Sequence, residues 1–339
     1  MTSILKRVKE SLTSTITQKP KQEAQPSGFP RHNKPVKAIY ESNPIAIPDD
    51  FLVIDPPDAK PVTITPIDWK STDVPEYDHH VAYILENVLS PSECTALLTL
   101  AEQSVAPASQ GPEGSPWRRA MVNMSAGWEV HTPHYRNGDR LIWDRQEVVD
   151  RIWARCLRAQ GLGDGMAAAA KDPVVVGSGK FELRREEGSR FVFARLNHRM
   201  RFLKYSGGEF FRPHRDASYG ETTVDGKYQE SLFTLHLYLN DSKAAAEDPD
   251  SVELVGGSTP FLSRDEKRRV DVHCKAGRVL IFQQRGLLHS GDDVLQGVKY
   301  TMRTDIMFEL VKDDDEANKQ EGEPEGKLED SRPAKGNEE

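Results

Sequence analysis

Residues 202–216 constrain this chain more than any other stretch. Phe202, Leu203 and Tyr205 read as an aromatic-rich strand that runs into the turn Gly207-Gly208. Phe210, Phe211 and Pro213 then lead to His214 and Asp216, two residues apart. In extended chain, alternate side chains point to the same face, so His214 and Asp216 can reach one point in space. Two histidines and one carboxylate on such a point form the facial triad that holds Fe(II) and leaves positions open. A lone His-x-Asp is more commonly an ordinary polar pair at a strand end, so the pair needs a distant third partner.

His289 is the best candidate for that partner. The apolar run Val279 to Phe282 ahead of it reads as a buried strand. A further strand pattern runs from Val298 to Phe308, with Lys299, Thr301 and Arg303 on one face. Between the candidate ligands lies a strand over 231–239. It sets Thr234, His236 and Tyr238 on one face and Phe233, Leu235, Leu237 and Leu239 on the other. A histidine inside a strand is usually a satisfied core residue, and His236 reads equally as a pocket wall.

In order, the chain carries Tyr205, Gly207-Gly208, His214-x-Asp216, Thr234-x-x-x-Tyr238-Leu-Asn240, Gly256-Gly257-Ser-Thr259, His289 and Gly297-x-Lys299-Tyr300. This order resembles the iron(II)/2-oxoglutarate-dependent dioxygenases of the prolyl 4-hydroxylase type, over residues 196–310. The resemblance implies a mainly β fold with flanking α-helices and a double-stranded β-helix (jelly-roll) core. It implies that His214, Asp216 and His289 bind Fe(II). Lys299, ten residues beyond His289, then pairs with the distal carboxylate of 2-oxoglutarate, and Tyr238 donates to the same group. Tyr205 near the mouth and Thr234 are further cosubstrate contacts. Arg303, on the same face as Lys299, is the second choice for the carboxylate, since Arg is the better bidentate partner. The implied reaction uses O2 to convert 2-oxoglutarate to succinate and carbon dioxide while a C–H bond is hydroxylated, with ascorbate as accessory reductant. The substrate expected is a protein or peptide, with proline a candidate residue, or a small molecule.

Two other readings stand beside it. A nucleic-acid demethylase of the same superfamily would carry paired arginines on the last strand, where this chain has Lys299 and Arg303. A non-enzymatic metal-binding barrel would need no carboxylate pocket. Charge bears on the first: residues 1–40 carry +6, 313–339 carry −7 and the stretch between carries −7. An acidic core gives no electrostatic footprint for nucleic acid. The basic arm reads as a solvated tail, with an anionic partner the other possibility.

Cys94, Cys156 and Cys274 are widely spaced and fit neither a disulfide framework nor a zinc site. The chain shows no signal-peptide pattern and no apolar run near the ~20 residues that span a bilayer. An intracellular protein with no membrane partner is the expectation. Residues 1–75, rich in Pro, Lys, Ser and Thr, read as a largely disordered segment. Within it, residues 43–68 read equally as a linker or as a surface-docked strap. The dioxygenase domain is expected over 76–312, followed by an acidic disordered tail over 313–339. Ser90, Pro91 and Glu93 read as a capping box opening a helix. Asp144 and Glu147 read as a similar start to a second helix, in which Cys156 is core packing. His131 and His134 flank a proline and read as surface loop. Arg136 and Arg140 read either as structural or as edging the cleft. Residues 161–190, with an alanine run between glycines, read as an inserted spacer or as a cover over the mouth.

Overall fold

Alternation along the strands builds this fold. In the computed structural model, which describes residues 34–125, 127–176 and 189–312, two sheets carry the architecture. The larger sheet contains β1 (Thr63–Pro66), β2 (Ala82–Glu86), β3 (Asp139–Asp144), β4 (Ser189–Leu196) and β5 (Arg199–Ser206). The strand β6 (Phe210–His214) belongs to the smaller sheet, and β7 (Tyr228–Tyr238) returns to the larger. Then follow β8 (Thr259–Leu262) and β9 (Arg269–Val272) in the smaller, β10 (Val279–Gln283) in the larger, and β11 (His289–Gly291) in the smaller. The last strand, β12 (Val298–Lys312), lies in the larger sheet. Along the larger sheet the order is β1-β2-β10-β7-β12-β5-β3, with β4 pairing the far half of β12. In the smaller sheet β9-β8-β11-β6 ends on the two-residue strand Arg136–Asn137. This exchange of strands between two sheets is a jelly roll, as expected from the sequence.

The period of two sorts the larger sheet's faces. Phe233, Leu235 and Leu237 of β7, with Met302 and Ile306 of β12, point outward into a buried apolar cluster. The helices α1 (Pro91–Gln103), α2 (Gln146–Cys156) and α3 (Leu162–Ala169) cover that face. Thr234, His236, Lys299 and Arg303, on the alternate positions, line the cavity on the other face. Burying the outer face is what holds the inner, polar face in register: a one-residue slip would drive Lys299 and Arg303 into the apolar layer.

Helix α1 starts as read. Glu93 N–H donates to Ser90 Oγ at 3.2 Å and Ser90 N–H donates to Glu93 Oε2 at 2.8 Å. The second helix does not. Asp144 caps nothing there; its carboxylate takes two hydrogen bonds from the Arg199 guanidinium, at 2.9 and 2.7 Å. A bidentate charged pair across β3 and β5 outcompetes a single helix-end N–H.

Two expectations about boundaries are corrected. The packed structure begins well before residue 76. Phe51, Leu52, Trp69 and Val74 are buried, and β1 pairs with β2. Arg155 of α2 ties this strap down, donating to Leu52 and Ile54 carbonyls and to Asp55. So 43–68 docks, as one of the two readings held. Residues 162–176 are no spacer: Leu162, Met166, Ala169, Ala170, Val175 and Val176 join the main apolar cluster, and none lines the cavity. Residues 1–33, 177–188 and 313–339, on which the readings of a basic arm, the rest of the insertion and an acidic tail fall, lie outside the described residues. Among the described residues no helix is long and apolar enough to cross a membrane.

Candidate active site

The triad forms where the smaller sheet closes over the larger. His214 ends β6 and His289 opens β11, and the two are directly paired across these strands. Asp216 follows two residues on. One ligand atom from each of the three lies within 4.8 Å of the others, and among the described residues no other such group occurs. Ring packing fixes both imidazoles. Phe211 stacks on His214 with centroids 3.7 Å apart, and Phe282 meets His289 edge-on at 4.8 Å.

Hydrogen bonds then decide which ring atoms are available. His214 Nδ1 lies 2.8 Å from the Arg212 carbonyl and His289 Nδ1 lies 3.2 Å from the Leu287 carbonyl. Each carbonyl accepts an N–H, so each Nε2 is left as a bare lone pair. Both Nε2 atoms face Asp216 at 3.8 Å, beyond hydrogen-bond reach. Burial pushes the His214 pKa down to about 3 and lowers that of His289. Burial alone would raise Asp216, but Arg303 and the two imidazoles hold it well below the usual carboxylate range. Two neutral imidazoles and one ionised carboxylate, gathered around a gap, are the donor set and protonation states that Fe(II) takes. The residues fit the metal.

The cosubstrate candidates separate in space. Lys299 is 2% exposed, and no carboxylate pairs with it among the described residues. Its ammonium sits 5.7 Å from the Tyr205 ring and 5.8 Å from the Tyr238 ring. Gly257 closes over its stem: a Cβ there would lie 3.2 Å from Lys299 Cδ, at a φ of +71° that disfavours side chains in any case. Tyr205 lines the cavity, and its ring needs Gly138, where a Cβ would fall 2.5 Å from it. Tyr238 does not line the cavity. It is fully buried, its phenol pushed up by burial, and its hydroxyl has no partner. Such a hydroxyl calls for an acceptor.

Thr234 and Arg303 are spoken for. Thr234 donates to Asp216 Oδ2 at 2.7 Å, and the Arg303 guanidinium meets the same oxygen at 3.1 Å and Asp305 at 3.3 Å. His236 lines the cavity with Nε2 unpartnered, and burial lowers its pKa well below the ordinary value. The two loop arginines also part company. Arg140 is buried against Glu129 at 2.6 Å and Tyr40, a structural pair. Arg136 lines the cavity and sits over the Phe211 ring at 4.6 Å. His131 and His134 are exposed loop residues. Sequence reading missed Asp305, Arg201 and Gln284. Asp305 continues the face of Lys299, Thr301 and Arg303 by one more step of two, which was the available signal.

Residues 200–304 match the family model described as the 2OG-Fe(II) oxygenase superfamily. No curated protein matches the chain. Among solved structures, a viral collagen prolyl hydroxylase from Paramecium Bursaria Chlorella virus-1 is 17% identical with a TM-score of 0.38, over 67% of this chain and 95% of that one. A Pseudomonas putida prolyl-4-hydroxylase is 14% identical with a TM-score of 0.39, over 70% and 98%. A Trichoplax adhaerens prolyl hydroxylase, in complex with a hypoxia inducible factor peptide fragment, is 14% identical with a TM-score of 0.40, over 74% and 91%. Likeness of that order carries no argument about substrate. The family match runs across the strands that hold the triad and Lys299, so it is residues 200–304 that carry the likeness to the 2OG-Fe(II) oxygenase superfamily.

Proposed function

We propose that this chain hydroxylates a C–H bond of a protein or peptide, with proline the first residue to test, and that His214, Asp216 and His289 hold its iron. The observation that carries the reading is the pairing of a three-donor cluster with a buried, unpartnered lysine in one cavity. Bound iron would supply the Lewis acidity and redox chemistry that activate oxygen with 2-oxoglutarate. The chain's own residues do the rest. The Arg212 and Leu287 carbonyls fix the imidazole tautomers. Lys299 binds the distal carboxylate, since a buried ammonium without an anion is costly and one with an anion is strengthened by the absence of water. The Tyr238 hydroxyl gains an acceptor if that carboxylate comes within reach. Phe211 and Phe282 pack against the two imidazoles and keep water from them.

The nucleic-acid alternative loses its footing here. Arg303 is bonded to two carboxylates and is not free for a phosphate. The deciding experiment incubates the protein with Fe(II), 2-oxoglutarate and cell extract. Succinate release, and a mass gain of one oxygen on a peptide, are expected. A protein that binds iron but neither turns over 2-oxoglutarate nor modifies any peptide would be a binding barrel instead.

A further inference from the structure

We propose that Arg303 is a positioning residue for Asp216, the last link of a chain of charges that fixes how that carboxylate meets a metal. This rests on the iron-site reading above. Four charged side chains form the chain. Arg201 Nη1 donates to Asp305 Oδ2 at 3.0 Å. Asp305 Oδ1 accepts from Arg303 Nη2 at 3.3 Å and from Gln284 Nε2 at 3.2 Å. Arg303 Nη2 reaches Asp216 Oδ2 at 3.1 Å. Gln284 is itself set by Ser231, whose hydroxyl donates to its Oε1 at 2.8 Å. The strands impose this order: across β7 and β12, Thr234 faces Asp305 and His236 faces Arg303, while Arg201 of β5 faces Arg303 from the other side.

The consequence lies in the two oxygens of Asp216. Oδ2 accepts from Thr234 Oγ1 at 2.7 Å and is ion-paired with Arg303 Nη2 at 3.1 Å, while the same nitrogen donates to Thr234 Oγ1 at 3.3 Å. Oδ1 has neither partner; it faces His214 Nε2 at 3.8 Å, as Oδ2 faces His289 Nε2 at 3.8 Å. Each oxygen faces one imidazole, but only Oδ2 carries the Thr234 hydrogen bond and the Arg303 ion pair, which leaves Oδ1 the oxygen with its lone pairs free. Holding a ligand to one oxygen keeps further positions on the metal for cosubstrate and oxygen, and hydrogen bonds to a ligating carboxylate are how proteins do this. The asymmetry belongs to Arg303 and Thr234. Lys299, elsewhere on the cavity wall, makes no contact with Asp216.

The test measures Co(II) binding by calorimetry and by the cobalt absorption spectrum, in wild type and in Arg303→Met, Arg303→Lys, Thr234→Val and Lys299→Met. A positioning role predicts an affinity loss of about 10–100-fold in Arg303→Met with altered cobalt bands. Arg303→Lys should restore part of it, and Thr234→Val should show a smaller change in the same direction. Lys299→Met should leave cobalt binding as it is. A cation that merely sits near the metal would repel it, so unchanged or tighter cobalt binding in both Arg303→Met and Thr234→Val overturns the proposal. Unchanged cobalt binding with weakened 2-oxoglutarate binding in Arg303→Met also overturns it, and makes Arg303 a direct cosubstrate contact. If Arg303→Met does not fold, Thr234→Val alone decides. Wild-type protein that binds no Co(II) or Fe(II) sinks the iron-site reading itself, a different result from bound metal that ignores the substitutions.

Discussion

Replacing Lys299 with Met should do two opposite things. Lys299 is buried, carries no ion pair among the described residues, and faces two tyrosine rings. In the ligand-free protein its ammonium is a cost, so a methionine of similar length should stabilise the fold. A gain of about 1 kcal/mol would raise the melting temperature by about 2–4 °C. With 2-oxoglutarate the balance reverses. A charge-assisted contact in a water-excluded site contributes about 2–4 kcal/mol, so affinity should fall by about 30–700-fold. Anaerobic titration of 2-oxoglutarate into the metal-loaded protein measures the second effect, and calorimetric melting of the ligand-free protein measures the first. Metal affinity should not change. If the variant binds 2-oxoglutarate as wild type does, Lys299 is no anchor, and the cosubstrate carboxylate must be sought at Arg136 or Arg303.

Other substitutions probe the frame around the site. His289→Ala should abolish Fe(II) binding while the fold survives; full turnover in that variant would put the second histidine elsewhere. Gly257→Ala forces a side chain into left-handed backbone against the Lys299 stem; it should cost about 1 kcal/mol or more in stability and weaken 2-oxoglutarate binding. Arg140→Met leaves Glu129 buried without its cation; urea melts should show a loss of about 3–5 kcal/mol. Removing residues 1–33 and 313–339 should leave melting and uncoupled 2-oxoglutarate turnover unchanged, as their polar, charged composition predicts.

What was legible in the sequence was what alternation and local chemistry dictate. The faces of β7 and β12 follow from a period of two, and so does the shared aim of His214 and Asp216. The start of α1 follows from Ser90, Pro91 and Glu93, whose capping hydrogen bonds lie within one turn. What was not legible depended on partners far along the chain. Asp144 lies in a helix-start pattern, yet Arg199, 55 residues away, takes its carboxylate. The alanine run near 167–170 looks like spacer because alanines are small. Two of them, Ala169 and Ala170, are buried in the same apolar cluster that Leu162 and Met166 enter. The strap at 43–68 has the composition of a linker, but Phe51 and Leu52 are buried and Arg155 bonds the Leu52 and Ile54 carbonyls and Asp55. Composition averages over such isolated anchors and so cannot see them.

The choice between Lys299 and Arg303 shows the same limit at the site. Both are cations on one face of one strand, and by residue type Arg303 is the better carboxylate binder. The structure separates them by what stands opposite. Arg303 faces Asp216 and Asp305, and the second of these is shared with Arg201. Those four groups sum to zero charge. Lys299 and Arg136 then remain as lining cations without a carboxylate partner among the described residues. A cavity with that excess attracts a dianion before any contact forms. Of the two, Lys299 is the one that faces the rings of Tyr205 and Tyr238, at 5.7 and 5.8 Å. Lys299 is therefore set apart from Arg303 by which carboxylates are already taken, and by no property of the lysine itself.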